Sequence, residues 1–344
     1  PAESIPSISG IASDDRAKVN NATLRNRGWE LSVSWNDKLK CGFSYGIGFN
    51  VFNYKAVVTK YNNPEGIIYN NHTGLAANKG YYEGMDIGEI WGYRADDLFL
   101  SNREIDDYLR NVNLTAFKSN DLWRRGDLKY IDSNGDGRVD GGKGTLADHG
   151  DLQIIGNTTP KYSFGINLNL GYKGFEISTL LQGVAKRDFP ISGSNYMFGG
   201  NNYNFKEHLD YFSTENPNGY LPRLTGWKDD KDFLVNTGYN TTRYLLNAAY
   251  MRMKNLTVGY TFNKKQLRHI GISNLKVYVT CDNLFTVTKL PKQFDPETLN
   301  QVNMSAGGDA QNTAPGLTSP MKQNGNGMVY PMNRNFVFGL DFTF

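Results

Sequence analysis

Residues 132–140 read DSNGDGRVD, a run in which side-chain oxygens recur at Asp132, Asn134, Asp136 and Asp140, with Gly137 at the sixth position. By this spacing a twelve-residue loop wraps a hard cation, with alternate residues supplying oxygens and the sixth turning sharply. The chemistry it points to is calcium binding. Carboxylates packed this closely repel one another unless a cation offsets them, although Asp, Asn and Gly also form Asx turns without any ion. A helical calcium sensor would add an apolar helix before the loop and a bidentate Glu at position twelve. Position twelve is Lys143, within the glycine-rich run GGKGT, so the expected role is a structural brace rather than a sensor.

The elements that must hold this loop are strands. The chain has 344 residues, with 37 Gly, 21 Tyr and 19 Phe, yet is only 39% hydrophobic, and its mean hydropathy is −0.53. Many strands and long loops fit that balance better than helices do. A net charge of +3 with acids and bases well mixed leaves no basic stripe, which argues against nucleic acid as a partner. Cys41 and Cys281 both fall within strand-like alternations and are expected as apolar-side cysteines rather than a disulfide. No stretch approaches the ~18 to 20 apolar residues of a membrane helix. The opening PAESIPSISG has neither the charged start nor the apolar core of a signal peptide, so a leader for export is expected outside this chain.

Seven segments alternate apolar and polar residues with period two, which gives a strand two unlike faces. In GWELSVSWN, Trp29, Leu31, Val33 and Trp35 share one face, against Glu30, Ser32 and Ser34. The next segment sets Cys41, Phe43, Tyr45, Ile47, Phe49 and Val51 against glycines, serines and Asn50. KYSFGINLNLGY sets Tyr162, Phe164, Ile166, Leu168 and Leu170 against Ser163, Gly165, Asn167 and Asn169. FEISTLLQGVA, MKNLTVGYTF, NLKVYVTCDNLF and the terminal NFVFGLDFTF complete the set.

Short links follow the first, third and fifth segments, around Asp37 to Lys40, Tyr172 to Gly174 and Asn263 to Ser273. The other connections, 54–159, 186–252 and 287–333, far exceed the ~12 to 15 residues usual for a loop in a compact domain. Such alternation of short and long connections is expected of an up-and-down outer-membrane barrel, with short periplasmic turns and long extracellular loops. Seven strands fall short of the 8 that close the smallest membrane barrel, and an open edge in lipid leaves backbone groups unpaired. The expectation is therefore the C-terminal part of a larger barrel.

GDLKYIDSNGDGRVD followed by DLQIIGNTTPKYSFGINLNLGYKGFEISTLLQGV resembles the hallmark C-terminal region of SusC/RagA-type TonB-dependent transporters. LRNRGWELSVSW, YYEGMDIGEIWGYRADDLF, YMRMKNLTVGYTF and LKVYVTCDNLF extend the resemblance over nearly the whole chain in the family's order. The resemblance implies an all-β fold, the C-terminal portion of a 22-stranded antiparallel transmembrane β-barrel in the outer membrane of a Gram-negative bacterium. It implies import of nutrients, oligosaccharides or peptides, with a SusD-like surface lipoprotein as lid and TonB engaged through the N-terminal part. The plug domain and TonB box are expected outside residues 1–344. In similar proteins a carboxylate just before the IIGN run continues the acidic loop, a place held here by Asp151. The stretch GGKGTLADHG lengthens the spacing, so Asp148 or Asp151 could serve, while Arg138 would offer only its backbone carbonyl. Ca2+ is thus expected on Asp132, Asn134, Asp136, Arg138, Asp140 and Asp151.

Catalysis finds no support. His72, His149, His208 and His269 show no paired metal spacing, and no nucleophile motif or phosphate loop occurs. Trp91, Tyr93, Trp123, Tyr196, Phe198 and Trp227, in the long insertions, are the candidates for stacking on sugar rings or peptide side chains; the competing expectation is that they pack the loops. The terminal Phe344 resembles the C-terminal assembly signal of outer-membrane proteins. The alternative function is a secreted, calcium-braced β-rich adhesion or binding module, which would bury its apolar face between two sheets instead of exposing it.

Overall fold

A computed structural model of the chain describes residues 2–4, 18–20, 22–68, 81–95, 97–191, 206–225, 234–263, 267, 271–299 and 332–343. Each of the seven alternating segments forms a strand: β1 (Ala22–Lys38), β2 (Ser44–Tyr61), β3 (Lys161–Tyr172), β4 (Phe175–Lys186), β5 (Tyr250–Thr261), β6 (Asn274–Asp282) and β7 (Asn335–Thr343). Each pairs antiparallel with the next, so the sheet order is the chain order and β1 and β7 are its edges. The seven strands make an open, partial barrel wall; among the described residues β1 and β7 do not pair.

The short links lie at one end of this sheet and the insertions at the other. Lys173 (φ 47°) and Gly174 (φ 93°) form the two-residue link between β3 and β4, a pair of positive φ values that matches the twist of the flanking strands. A Cβ on Gly174 would stand 2.6 Å from the carbonyl oxygen of Thr261, so the glycine is required by space as well as by conformation. Leu39 and Phe43 close the β1–β2 hairpin through the Leu39 N–H, which donates to the Phe43 carbonyl at 2.8 Å.

Register carries the two faces from strand to strand, because directly opposed residues point the same way. One row runs Trp35, Ile47, Leu168, Thr179, Leu256, Cys281 and Phe336; the next runs Tyr45, Leu170, Ile177, Val258, Val279 and Phe338. This face is mainly apolar and is most open on the edge strands, where Trp35 is 62% exposed and Phe338 78%, while Thr179 and Cys281 in its middle are buried. The opposite face is built from Ser34, Asn36, Gly46, Asn50, Gly165, Asn167, Asn169, Ser178, Thr257 and Thr280. On it, near the short links, a cavity of about 710 Å³ opens between Asn36, Asn169, Glu176 and Lys276.

The structure moves several boundaries. β2 continues to Tyr61, past position 54, because Thr23, Leu24 and their neighbours in β1 go on pairing with it. β6 stops at Asp282, where Asn283 turns the chain (φ 53°), and Thr286–Thr288 pairs with β5 instead of prolonging β6. Cys41 lies in the hairpin turn and is exposed, rather than on an apolar strand face, whereas Cys281 is buried in β6; neither is in a disulfide. Phe344 lies outside the described residues.

At the end away from the short links, the insertions fold onto the polar face. Val184 and Tyr250, directly opposed on β4 and β5, are buried there together with Arg252. The insertions share one aromatic-rich core, to which the first contributes Phe99 and Tyr130, the second Phe189 and Tyr244, and the third Leu290 and Phe294. A short helix, α1 (Asn102–Leu109), enters through a capping box: the Ser101 hydroxyl accepts from the Glu104 N–H at 3.1 Å, and the Glu104 carboxylate accepts from the Leu100 N–H at 2.9 Å.

Candidate functional site in the acidic loop

The acidic loop leaves the short strand Leu128–Lys129, which pairs with Asp97–Leu98, and returns to Gln153–Asn157, which pairs with Glu89–Gly92. Both ladders belong to the first insertion, so the loop is fixed at its two ends. Within it, glycines take the positive φ that the reversals demand, 79° at Gly135 and 80° at Gly137. The Asp132 carboxylate accepts from the N–H groups of Gly135 (2.7 Å) and Gly137 (2.8 Å), one on each oxygen. Asn134 Oδ1 accepts from Asp136 N, Asp136 Oδ1 from Arg138 N, and Asp140 Oδ1 from Gly142 N, at 2.7 to 2.9 Å.

Asp151, not Asp148, reaches back to this loop. Its Oδ1 accepts from Ser133 N at 2.6 Å and its Oδ2 from Asp140 N at 2.9 Å, while its own N–H donates to the Asp140 carbonyl at 2.8 Å. One carboxylate thereby ties both ends of the acidic run together. Burial pushes the Asp151 carboxyl above its ordinary range; three backbone N–H groups pull it back, and the Asp132 charge pushes it up again. Asp148 instead faces Lys143 at 3.8 Å. Arg138 joins the loop through its backbone, where Val139 and Gly137 bridge to Asn113.

The donor set is all oxygen, which suits calcium by type. Its arrangement is that of serial Asx turns, with each carboxylate satisfied by backbone N–H groups. Among the described residues no three His, Cys, Asp or Glu side chains converge closely enough to hold a metal ion.

The aromatic candidates divide. Tyr93 and Trp123 are each 3% exposed and pack inside the shared core, Tyr93 edge-on to Phe117 and Tyr130, and Trp123 edge-on to Phe99. They hold the insertions together and present no open ring face. Trp91 is half-buried, with its indole N–H donating to Glu89 and its ring against His149. Tyr196, Phe198 and Trp227 lie outside the described residues.

Two charged clusters were not indicated by any sequence motif. Asp127, fully buried, accepts from Lys118 Nζ (2.7 Å), Arg223 Nε (2.5 Å), Asn236 Nδ2 (2.9 Å) and Arg124 N (2.8 Å), and so joins the first insertion to the second. Arg252 of β5, 4% exposed, takes Asp295 and Glu297 from the third insertion.

The comparisons with known proteins agree with this architecture. No family model matches the chain. The TonB-dependent receptor P3 of Formosa agariphila is 25% identical over 343 residues, which is 99% of this chain and 30% of that protein. The TonB-dependent receptor SusC of Bacteroides thetaiotaomicron is 21% identical over 83% of this chain and 25% of its own length. The chain thus spans about 30% of the length of the first curated relatives it matches. Among solved structures, that of the RagAB peptide transporter superposes with a TM-score of 0.56 at 19% identity, over 86% of this chain and 29% of that one. The relatives compared are receptors and transporters, not enzymes. Along nearly its whole length the chain is thus similar to TonB-dependent receptors, SusC among them, and it shares the strand arrangement of the RagAB transporter.

Proposed function

We propose that this chain forms part of the barrel wall of an outer-membrane TonB-dependent importer of oligosaccharides or peptides, working with a SusD-like surface lipoprotein. One observation carries the reading: a mainly apolar face crosses all seven strands in register, most exposed on β1 and β7 and uncovered by any second sheet among the described residues, opposite a mainly polar one. From Phe164 to Tyr172 the apolar side of β3 covers roughly 27 Å of strand, or about 20 Å of height at a tilt of ~40°. Ring pairs such as Trp29 with Tyr162, and Phe175 with Tyr260, extend it toward the ~25 Å apolar band of such barrels, with aromatic girdles at its borders. The polar face would line the lumen, and the insertions would lie outside the cell. A secreted module would cover the apolar face with a second sheet, and among the described residues no such sheet exists. The test is fractionation of the complete receptor with heat-modifiable migration of the folded barrel; a stable monomer in detergent-free buffer would overturn the reading.

Within this assembly the loop of Asp132, Asn134, Asp136, Arg138, Asp140 and Asp151 would hold calcium as a brace. Support comes from the all-oxygen donor types of the run, which Asp151 closes by accepting the N–H groups of Ser133 and Asp140; binding would require these side chains to draw closer together than they stand here. Calcium should raise the melting temperature of the insertions, and Asp132→Asn should remove that increment. An unchanged melting curve would leave the loop as turns alone.

A further inference from the structure

The third insertion lays a strap, Leu290 to Leu299, along the polar face of β4 and β5, and the way it is held is unusual in charge. Arg252 Nη2 donates to both oxygens of Asp295 at 2.9 Å, and its Nη1 to Glu297 Oε2 at 2.7 Å. Lys254 Nζ meets the same Glu297 oxygen at 2.9 Å. Arg187, which follows β4 and is only 9% exposed, grips the same strap through backbone: Nη1 donates to the Pro296 carbonyl (3.5 Å) and Nη2 to the Leu299 carbonyl (2.7 Å), while Nε donates to Thr158 O (3.0 Å). All three acceptors of Arg187 are neutral carbonyls; among the described residues no carboxylate pairs with it.

Among the described residues three cations thus face two carboxylates, one positive charge in excess, in a place from which water is largely withdrawn. A buried guanidinium without a counter-charge is costly, and a fork of N–H donors is matched best by a planar oxyanion. The strap is also imperfectly satisfied: Glu297 Oε1 and both polar atoms of the Gln293 amide are buried without a hydrogen-bond partner. Wall and strap therefore differ in quality, with the wall built for carboxylates and the strap an incomplete supplier of them.

We propose that Arg187, Arg252 and Lys254 form a carboxylate-binding site on the polar wall, and that the strap's Asp295-Pro296-Glu297 segment occupies it as an internal stand-in for an acidic chain. An incoming ligand with two carboxylates spaced as in that segment displaces the strap and supplies the charge that Arg187 lacks. Neutral ligands gain nothing from the exchange, so the device selects acidic chains at the end of the wall where the insertions fold in.

The test uses the complete receptor in detergent and a labelled, amidated peptide of sequence Asp-Pro-Glu-Thr, with Asn-Pro-Gln-Thr as the neutral control. Asp295→Asn with Glu297→Gln weakens the strap's hold but keeps the cations, and should tighten binding of the acidic peptide at least tenfold over wild type. The neutral peptide should show no gain. Adding Arg187→Lys, which keeps the charge but cannot hold three acceptors in one plane, should return most of that gain. Heat-modifiable migration confirms that each variant is folded. Binding no tighter than wild type in the folded strap variant, or an equal gain for the neutral peptide, would overturn the site. The measurement needs no transport, so its failure is separable from failure of the importer reading.

Discussion

The two faces of the sheet can be tested against each other with one substitution type on neighbouring residues. Leu168 lies in the middle of the apolar row of β3, directly between Ile47 and Thr179, whereas Asn167 points to the opposite face between Gly48 and Leu180. An arginine at position 168 would sit at the middle of the lipid band, where a basic residue on the lipid face costs about 2–4 kcal/mol. At about 1.4 kcal/mol per tenfold, that is a loss of roughly 30- to 700-fold in the folding equilibrium in a bilayer. At position 167 the same side chain would extend over Gly48, which has no side chain of its own, into a polar space. There the cost should stay within about 0.5 kcal/mol. Urea unfolding of the complete receptor in lipid vesicles, followed by heat-modifiable migration, reads both values in one preparation. Equal costs, or a larger cost for Asn167→Arg, would refute the assignment of the apolar face to lipid.

Asp127→Asn keeps the shape but removes the charge that faces Lys118 and Arg223. The cost should be about 3 kcal/mol, the low end of the ~3–5 expected for breaking a buried pair, because the Trp123 ring still faces the ammonium at 4.6 Å. Hydrogen exchange in the insertions should rise while the strands stay protected; unchanged exchange would show that the cluster does not join them. Asp295 should give stability an acid limb. Burial alone would raise its carboxyl, but the N–H groups of Met332 and Glu297 and the Arg252 guanidinium outweigh it and hold the group below its ordinary range. A lowered folded-state value means that its contribution is complete above the unfolded carboxylate range and is lost as pH falls through the folded one. Asp295→Asn should flatten that limb, and an identical acid profile would count against the pairing. Ser101→Ala at the α1 cap should cost about 1 kcal/mol, read as faster exchange in residues 102–109 alone.

The wall was legible because each strand states its own face. A period of two with glycine, asparagine and serine opposite phenylalanine, leucine and valine leaves one register in which most apolar residues agree, with exceptions such as Leu180 and Val184, and the structure adopts it. The ends were less legible. Nothing in DNLF marks Asn283 as the residue that leaves β6, since an asparagine tolerates both strand and left-handed conformations. The loop's closing carboxylate was open between Asp148 and Asp151, because the glycine-rich stretch between them and Asp140 has no fixed geometry until it folds. The core of the insertions was hidden for a different reason: Lys118 and Asp127 read as surface residues one at a time and are buried only as a pair, with the half-buried Arg223 on the other carboxylate oxygen. Tyr93 and Trp123 read equally well as ligand platforms, and only the rings around them decide for packing.

The polar wall and the insertions are energetically one system. Val184, Tyr250 and Arg252 stand on the face that is open lower down, yet they are buried where the insertions meet it. Asp127 ties the first insertion to the second, Arg187 ties the second to the third, and Arg252 ties the third to β5. Each tie uses a buried charge, which loses far more when one partner leaves than it contributes as an exposed pair. Movement of any one insertion therefore costs several kcal/mol unless something replaces the lost partner. A ligand or protein that supplies the replacing charge can shift these insertions, while one that only touches their surface cannot.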